Sequence, residues 1–256
     1  MTKHFHRTLN YMAIFTAVIV AGVIIFHHQF MQIATSNIYL NGIIIGTGLF
    51  GIILCFAEMF KLLPEYKWLY NYIHGIQQNT LPPRLLRPMA SVLYTNKNKI
   101  NIQTMTNIMD AIMLRLEDSR ESIKYITNTL IFLGLLGTFW GLILTVGGFA
   151  ELINGLSFDD ADILTALQSG LGRPLSGMTT AFTSSLLGLG FSLTVGFLAL
   201  QVQLAQNTIF REIEDYLSEH TKISDTESIT RILPQINFNT RELTKTVANI
   251  EQNISK

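Results

Sequence analysis

Charged side chains are scarce in this chain and are missing altogether from its longest apolar stretches. Only 14% of the 256 residues are Asp, Glu, Lys or Arg, and the 18 basic residues balance the 18 acidic ones. A neutral chain with so few charges lacks the basic face that nucleic-acid binding requires. Residues 8–57 and 130–149 contain no Lys, Arg, Asp or Glu at all. These values fit a polytopic membrane protein better than a soluble domain.

Cysteine is almost absent as well. Cys55 is the only one, and it stands inside an apolar run. A single thiol excludes a disulfide framework and a cysteine-based metal site. The sequence also lacks a metal-ligand cluster and a nucleophile motif, and the glycines of LGLLGT lie within an apolar stretch, not between a strand and a helix as a phosphate loop requires. We therefore expect no enzyme activity, no cofactor and no metal.

Four apolar segments are each long enough to cross a bilayer. At about 1.5 Å per residue, twenty helical residues span about 30 Å, the thickness of the hydrocarbon core. The sequence therefore predicts an all-α, polytopic membrane protein with four transmembrane helices and long helices that extend into the cytoplasm. The predicted spans are residues 8–27, 38–57, 130–149 and 177 to about 204.

Two of these spans are predicted to continue as helices beyond the membrane. Apolar residues recur every three or four positions between Ile102 and Ile126, which predicts an amphipathic helix that runs straight into the third span. A similar pattern follows Gln201. A polar linker is predicted at residues 222–228, and a short heptad seam comprises Leu243, Val247, Ile250 and Ile254. The helix breaks are predicted at Pro64, Pro82, Pro83, Pro88 and Pro234.

The distribution of basic residues predicts the topology. Residues 58–126 contain nine Lys or Arg, whereas residues 28–37 and 150–176 together contain one, Arg173. By the positive-inside rule, both termini and residues 58–126 are cytoplasmic, and the two basic-poor loops face outward. The predicted division is an N-terminal transmembrane hairpin at 1–57, a cytoplasmic basic loop at 58–126, a transmembrane pair with a short outer loop at 127–205, and a cytoplasmic helical tail at 206–256.

Small residues form a continuous face on each of the last two spans. In a bilayer such a face gains nothing from lipid but lets another backbone approach closely, as in the GxxxG of Gly137 and Gly141. We therefore expect these faces to meet protein or a pore. On the third span the face comprises Gly134, Thr138, Gly141, Thr145 and Gly148. On the fourth it comprises Gly177, Ala181, Ser184, Gly188 and Ser192, with Thr180, Thr183 and Ser185 beside it.

The apolar spans contain hydroxyls but no carboxylate. An intramembrane Asp or Glu usually marks a proton relay, so a chain of this kind conducts protons only if another polypeptide supplies the titrating group. The alternative is structural. Thr138, Thr145, Ser184 and Ser185 would then only bond to backbone carbonyls of their own or a neighbouring helix.

Two motifs resemble the pore-lining helices of the bacterial MotA/TolQ/ExbB proton-channel family. They are LLGTFWGLI at residues 135–143 and SGMTTAFTSSLLGLGFSL at residues 176–193, and the resemblance covers about residues 126–205. It implies a homopentamer in the inner membrane around two copies of a single-span MotB/TolR/ExbD-like partner. The membrane Asp of that partner carries the proton, which would supply the missing carboxylate.

The resemblance also implies roles for individual residues. Thr138 matches the channel threonine, framed by Gly137, Trp140 and Gly141, and Ser185 matches the second hydroxyl, followed by Gly188. Ser184, Thr180 and Thr145 would extend the same hydroxyl-lined path. Two positions depart from TolQ and ExbB, since Thr180 replaces a glutamate and Ile131 stands where a proline is common. The count of four spans resembles flagellar stator A subunits, whereas TolQ and ExbB have three.

Three classes of function compete at this point. The first is a subunit of an ion-driven motor or energiser, and the second is a non-conducting membrane scaffold that organises a protein complex. A secondary transporter is the third, but neither inverted repeats nor broken helices occur in the sequence. These residues leave open whether the ion is H⁺ or Na⁺, and which process the ion flow drives.

Overall fold

The structure is a computed structural model that describes residues 2–76, 81–95, 101–155, 167–168 and 170–254. Its six principal helices contain most of these residues, and no strand occurs among them. The prediction of an all-α fold is confirmed. The helices are α1 (Thr2–Ile25), α2 (His27–Thr35), α3 (Ile38–Ile73), α4 (Arg87–Thr95), α5 (Ile102–Gly155) and α6 (Gly172–Ile254).

Four of the helices, α1, α3, α5 and α6, are long and apolar enough to cross a membrane, which confirms the predicted number of spans. The 54 residues of α5 run from the amphipathic segment into the third span without interruption, as predicted. At about 1.5 Å per residue, a helix of this length is more than twice as long as the hydrocarbon core is thick.

Pro64 and Pro234 lie inside helices, so the breaks predicted there are wrong. A proline removes one backbone hydrogen bond but does not end a helix when the residues on both sides propagate it. After Pro64 this propagation is supported by packing, because Tyr66, Trp68 and Leu69 are buried. The predicted linker at residues 222–228 is also helical, as is the backbone of the heptad seam, where Leu243 is exposed. The side chains of Val247, Ile250 and Ile254 lie outside the described part of the chain.

The short loop predicted between the first two spans, at residues 28–37, is mostly helical. The nine residues of α2 leave only Phe26 before them and Ser36 and Asn37 after them as connections. This stretch contains no Gly or Pro to end a helix, and Phe30, Ile33 and Ala34 are partly buried on one face. The polar residues of this stretch therefore belong to a short helix and not to a loop. The acidic residues Asp159, Asp160 and Asp162 of the other predicted outward loop lie outside the described residues.

The chain divides into two compact units, and α3, α5 and α6 contribute residues to both. The membrane unit comprises residues 1–63 and 116–207, and the second unit comprises residues 64–115 and 208–256. Each unit has its own apolar core. Large buried side chains of the membrane unit include Met12, Ile44, Met59, Ile123, Leu130 and Leu198, and those of the second unit include Leu69, Leu86, Met89, Leu93 and Ile112.

A group of polar contacts joins three helices of the membrane unit beyond their apolar segments. Arg120 on α5 donates to the side-chain oxygens of Gln206 and Asn207 on α6, at 2.7 and 2.6 Å. Ser119 donates to the carboxylate of Glu58 on α3 at 2.9 Å. Because a guanidinium has five fixed donors, Arg120 can hold both amides at once. These contacts tie the three helices together at the point where each becomes polar.

In the second unit, a buried carboxylate holds the segment that precedes α4. Glu65 is 6% exposed and accepts hydrogen bonds from the backbone N–H groups of Leu85, at 2.8 Å, and Leu86, at 3.2 Å. Arg115 donates to the carbonyl oxygen of Arg84 at 2.6 Å. Burial raises the pKa of Glu65 above its ordinary value, while the two N–H donors and Arg115 act in the opposite direction. The carboxylate therefore satisfies the N–H groups of the two residues just before α4, which have no partner within a helix.

Candidate functional site

The small-residue faces of α5 and α6 pack against each other. A Cβ added at Gly188 would lie 2.7 Å from the Cα of Gly134, and one added at Gly141 would lie 2.6 Å from the carbonyl oxygen of Gly177. These positions admit only glycine without a shift of backbone. Residue numbers rise along α5 as they fall along α6, so the two helices are antiparallel. We call this contact the α5–α6 seam. Its pairs are Gly134–Gly188, Gly137–Ser184, Gly141–Ala181, Thr145–Gly177 and Gly148–Pro174.

Trp140 lies outside the seam. Its side chain is 51% exposed. It follows Gly137 by three residues and precedes Gly141 by one, so at about 100° per residue it is turned well away from the row of glycines. Among the described residues, glycines and not Trp140 form the contact between α5 and α6. The expectation that Trp140 frames Thr138 stays a prediction.

Helix α3 packs along one side of the α5–α6 seam. A Cβ added at Gly137 would lie 2.8 Å from the Cδ2 of Leu40, and Ser184 donates to the Oδ1 of Asn41 at 2.8 Å. Gly51 of α3 faces Val195 of α6 in the same way, and Gly48 faces the ring of Phe191. A Cβ added at the two other glycines of α3, Gly42 and Gly46, would have nothing within 4 Å among the described residues.

Three of the five predicted ion-path hydroxyls are buried within the subunit. Thr145 donates to the carbonyl oxygen of Gly141 at 2.8 Å, and it lies 3.3 Å from that of Pro174. Thr180 donates to the carbonyl oxygen of Ser176 at 3.0 Å. Ser184 is 0% exposed and bonded to Asn41. These three hydroxyls join backbone and side-chain groups of one subunit.

The remaining two, Thr138 and Ser185, are partly exposed. Each directly follows a residue that contacts α3, since Gly137 meets Leu40 and Ser184 meets Asn41. One residue further along a helix is a turn of about 100°. Because α5 and α6 are antiparallel, the two turns bring Thr138 and Ser185 to the same side of the seam, opposite α3. We call this side the open edge.

Hydroxyls are versatile groups at such an edge. Thr138 donates to the carbonyl oxygen of Leu135 at 2.6 Å, and its Oγ1 still has lone pairs that can accept. A hydroxyl both donates and accepts, so Thr138 and Ser185 together could solvate a cation or hold a proton-bearing group of another chain. Neither residue itself titrates near neutral pH.

Sequence patterns did not predict the polar network on the side of α6 that contacts α3, away from the open edge. Asn41, Ser36 and Thr183 belong to it, and Asn41 is completely buried. The sequence did contain a signal for this network, because Asn41 stands within an apolar run, and a polar side chain in a membrane span usually bonds to another helix.

The part of the chain that the structure describes contains no group of three His, Cys, Asp or Glu side chains that could hold a metal ion.

The fold and the open edge define an all-α, multi-pass membrane protein whose membrane unit exposes two hydroxyls beside a tight helix pair. No family model, no curated protein and no solved structure matches the chain. The resemblance to proton-channel subunits therefore rests on the motifs at residues 135–143 and 176–193.

Proposed function

We propose that the chain is the ring-forming subunit of a proton-driven motor or energiser complex in the bacterial inner membrane. In this proposal both termini are cytoplasmic, and about five copies surround a single-span partner of the MotB/TolR/ExbD kind. Proton flow between ring and partner is converted into mechanical work. The observation that carries the proposal is the open edge, with Thr138 and Ser185 at one level of the α5–α6 seam and facing away from α3.

The polarity of the edge supports this function over a passive contact with lipid. Polar groups in hydrocarbon are costly unless they are hydrogen-bonded. Thr138 already donates to the carbonyl oxygen of Leu135, so its cost is partly met within α5. Its lone pairs and the hydroxyl of Ser185 remain on the side of the seam away from α3. A carboxylic acid in a dry bilayer is held protonated by desolvation. To release and rebind its proton, such an acid needs a neighbour that both donates and accepts, which a hydroxyl does. The partner's Asp therefore fits this edge.

The proposal is tested by proton flux through the complex with its partner in lipid vesicles. Thr138→Val keeps the shape and β-branching of the side chain but removes its hydrogen-bonding capacity. We expect flux to fall by about 100-fold, the lower end of the effect of a positioned proton-transfer group. Assembly should be unaffected, because among the described residues Thr138 donates to a carbonyl oxygen of its own helix.

Thr129→Val is the matched control for this experiment. Thr129 lies on the same helix and also donates to its own backbone, at 2.8 Å from the carbonyl oxygen of Tyr125. It precedes Thr138 by about two and a half turns, so it faces the opposite side of α5. We expect Thr129→Val to conduct like the wild type. Normal flux in Thr138→Val would mean that Thr138 is a packing residue, and would favour the scaffold.

A further inference from the structure

A buried amide joins three helices at one corner of the membrane unit. Asn41, in the first turn of α3, is 0% exposed. Its Nδ2 donates to the carbonyl oxygen of Ile33 in α2 at 2.8 Å and to the Oγ of Ser36 at 3.1 Å. Its Oδ1 accepts from the hydroxyl of Ser184 on α6 at 2.8 Å. Both hydrogens of the amide are therefore used, and its oxygen is bonded as well.

A second hydrogen bond links the same corner to α6. The Oγ of Ser36 lies 2.8 Å from the Oγ1 of Thr183, and either hydroxyl can donate. Thr183 and Ser184 are consecutive, so the corner between α2 and α3 holds α6 at two neighbouring points. Hydrogen bonds are directional, and two of them to consecutive residues define the rotation of a helix about its own axis.

Near Ser185, the other contacts of α6 constrain this rotation less. The directional bonds of α6 to α5, at Pro174 and at Gln206 and Asn207, lie about three and six helical turns away from Ser185. Gly51 meets Val195 through apolar atoms, and the hydrophobic effect has no preferred direction. The glycines of the α5–α6 seam permit close approach but carry no directional side chain. Neighbouring residues of a helix turn together, so any local rotation that moves Ser184 from Asn41 also moves Ser185 from the open edge. The orientation of Ser185 therefore depends on a group on the far side of α6.

We propose that Asn41 is a positioning residue. By holding Ser184, and through Ser36 also Thr183, it orients α6 so that Ser185 stays at the open edge beside Thr138. The effect of Asn41 on conduction rests on the proposed function, whereas its effect on the orientation of Ser185 does not.

The orientation is measured with a nitroxide spin label on Ser185→Cys in the complex in lipid vesicles. Asn41→Leu has a similar size but forms none of the three hydrogen bonds. We expect it to add a second spectral component with about 10% of the spins or more, the upper range of an ordinary minor conformation. Asn37→Leu is the control, because among the described residues the Oδ1 of Asn37 accepts a local bond from the N–H of Leu40, at 3.3 Å, and none from another helix. Its spectrum should keep one component.

Flux and rescue separate positioning from mere stabilisation. Without the label, Asn41→Leu should lower proton flux per assembled complex about tenfold, which corresponds to about 1.4 kcal/mol in the barrier. The exchange of the two partners, Asn41→Ser with Ser184→Asn, rebuilds an amide–hydroxyl pair between α3 and α6 and should restore flux and the single component. If Asn41→Leu does not assemble, Asn41→Ser alone replaces it in both measurements.

A lower thermal stability of Asn41→Leu with an unchanged spectrum and unchanged flux would overturn the proposal, because Asn41 would then stabilise the fold without orienting Ser185. If the wild-type complex carries no flux, the proposed function fails, and the spectra alone decide about Asn41. The two failures are therefore distinguishable.

Discussion

Ser184 and Ser185 follow each other on α6 but meet different surroundings. Ser184 is buried and donates to Asn41, whereas Ser185 is partly exposed at the open edge. Ser184→Ala leaves the Oδ1 of Asn41 without this donor, so we expect it to destabilise the membrane unit by about 1–3 kcal/mol. Ser185→Ala should lower proton flux with little change in stability.

Thermal unfolding and flux of the two alanine variants check this prediction together. Because the hydroxyl of Ser184 is already bonded to Asn41, it cannot take over the role of Ser185. Full flux in Ser185→Ala would remove Ser185 from the proposed path. An unchanged stability of Ser184→Ala would mean that the amide of Asn41 finds another donor.

Glu65 predicts a pH dependence of stability outside the apolar segments. Burial raises its pKa in the folded protein, so the folded state holds this proton more firmly than the unfolded state does. The resulting contribution to stability is greatest below the ordinary carboxyl pKa and is lost as pH rises through the raised value. Glu65→Gln does not titrate, so the wild type should lose stability relative to this variant as pH rises through and above the ordinary carboxyl pKa of about 4.3.

The measurement is the unfolding temperature of both proteins in detergent at pH values below and above that pKa. Other titrating groups affect both proteins alike, so the difference isolates Glu65. A wild type that gains stability over Glu65→Gln as pH rises would show that the N–H groups of Leu85 and Leu86 and the charge of Arg115 outweigh burial.

At the residue scale, sequence patterns could predict which glycines form a close contact, because their spacing follows the turns of a helix. They could not separate Ser184 from Ser185. The two serines are adjacent and chemically identical, and their difference depends on which side of α6 meets α3. The role of Asn41 was hidden for the same reason, since its partners Ser184 and Ile33 lie in other helices.

The α5–α6 seam predicts opposite effects for two glycines of one helix. An added Cβ at Gly141 would lie 2.6 Å from the carbonyl oxygen of Gly177, whereas at Gly147 it would meet nothing within 4 Å. Gly141→Leu should therefore destabilise the membrane unit by about 3 kcal/mol, the upper end of typical overpacking. Gly147→Leu should be tolerated by the subunit.

Yield and unfolding temperature of the two variants in detergent provide the test. Equal stability would mean that α5 and α6 do not pack through this face. A folded subunit that loses assembly in Gly147→Leu would place Gly147 at a contact between subunits.

At the element scale, sequence rules worked where the signal was periodic and failed where it was a single residue. The apolar spacing from Ile102 onward predicted the continuity of α5. Pro64 and Pro234 predicted breaks because the rule for proline is local, whereas helix continuity also depends on flanking residues and on packing such as that of Trp68 and Leu69. The polar residues of α2 predicted a loop, but a short helix needs only one partly apolar face to pack.

Across the whole molecule, much of the apolar surface of the spans is not covered by the chain itself. Only 6% of the residues in the most apolar stretch of α1 are buried, and 28% in that of α5. Lipid can cover apolar side chains, but it offers Thr138 and Ser185 no hydrogen-bond partner. The apolar surface alone would therefore be satisfied in a monomer, whereas in the proposed function a partner helix covers the hydroxyls of the open edge.

Assembly around a partner helix is the prediction at this scale. Native mass spectrometry in mild detergent should show about five copies of the chain with a single-span partner, the count being that of the resembling family. Under oxidation, Thr138→Cys should form a disulfide with a cysteine that replaces the partner's membrane Asp, because in the proposed function the open edge faces that residue. Thr129→Cys, on the opposite side of α5, should not. A monomer or simple dimer in both detergent and lipid would contradict the ring. Equal cross-linking at positions 129 and 138 would show that the open edge has no special relation to the partner, and the proton path along it would be wrong.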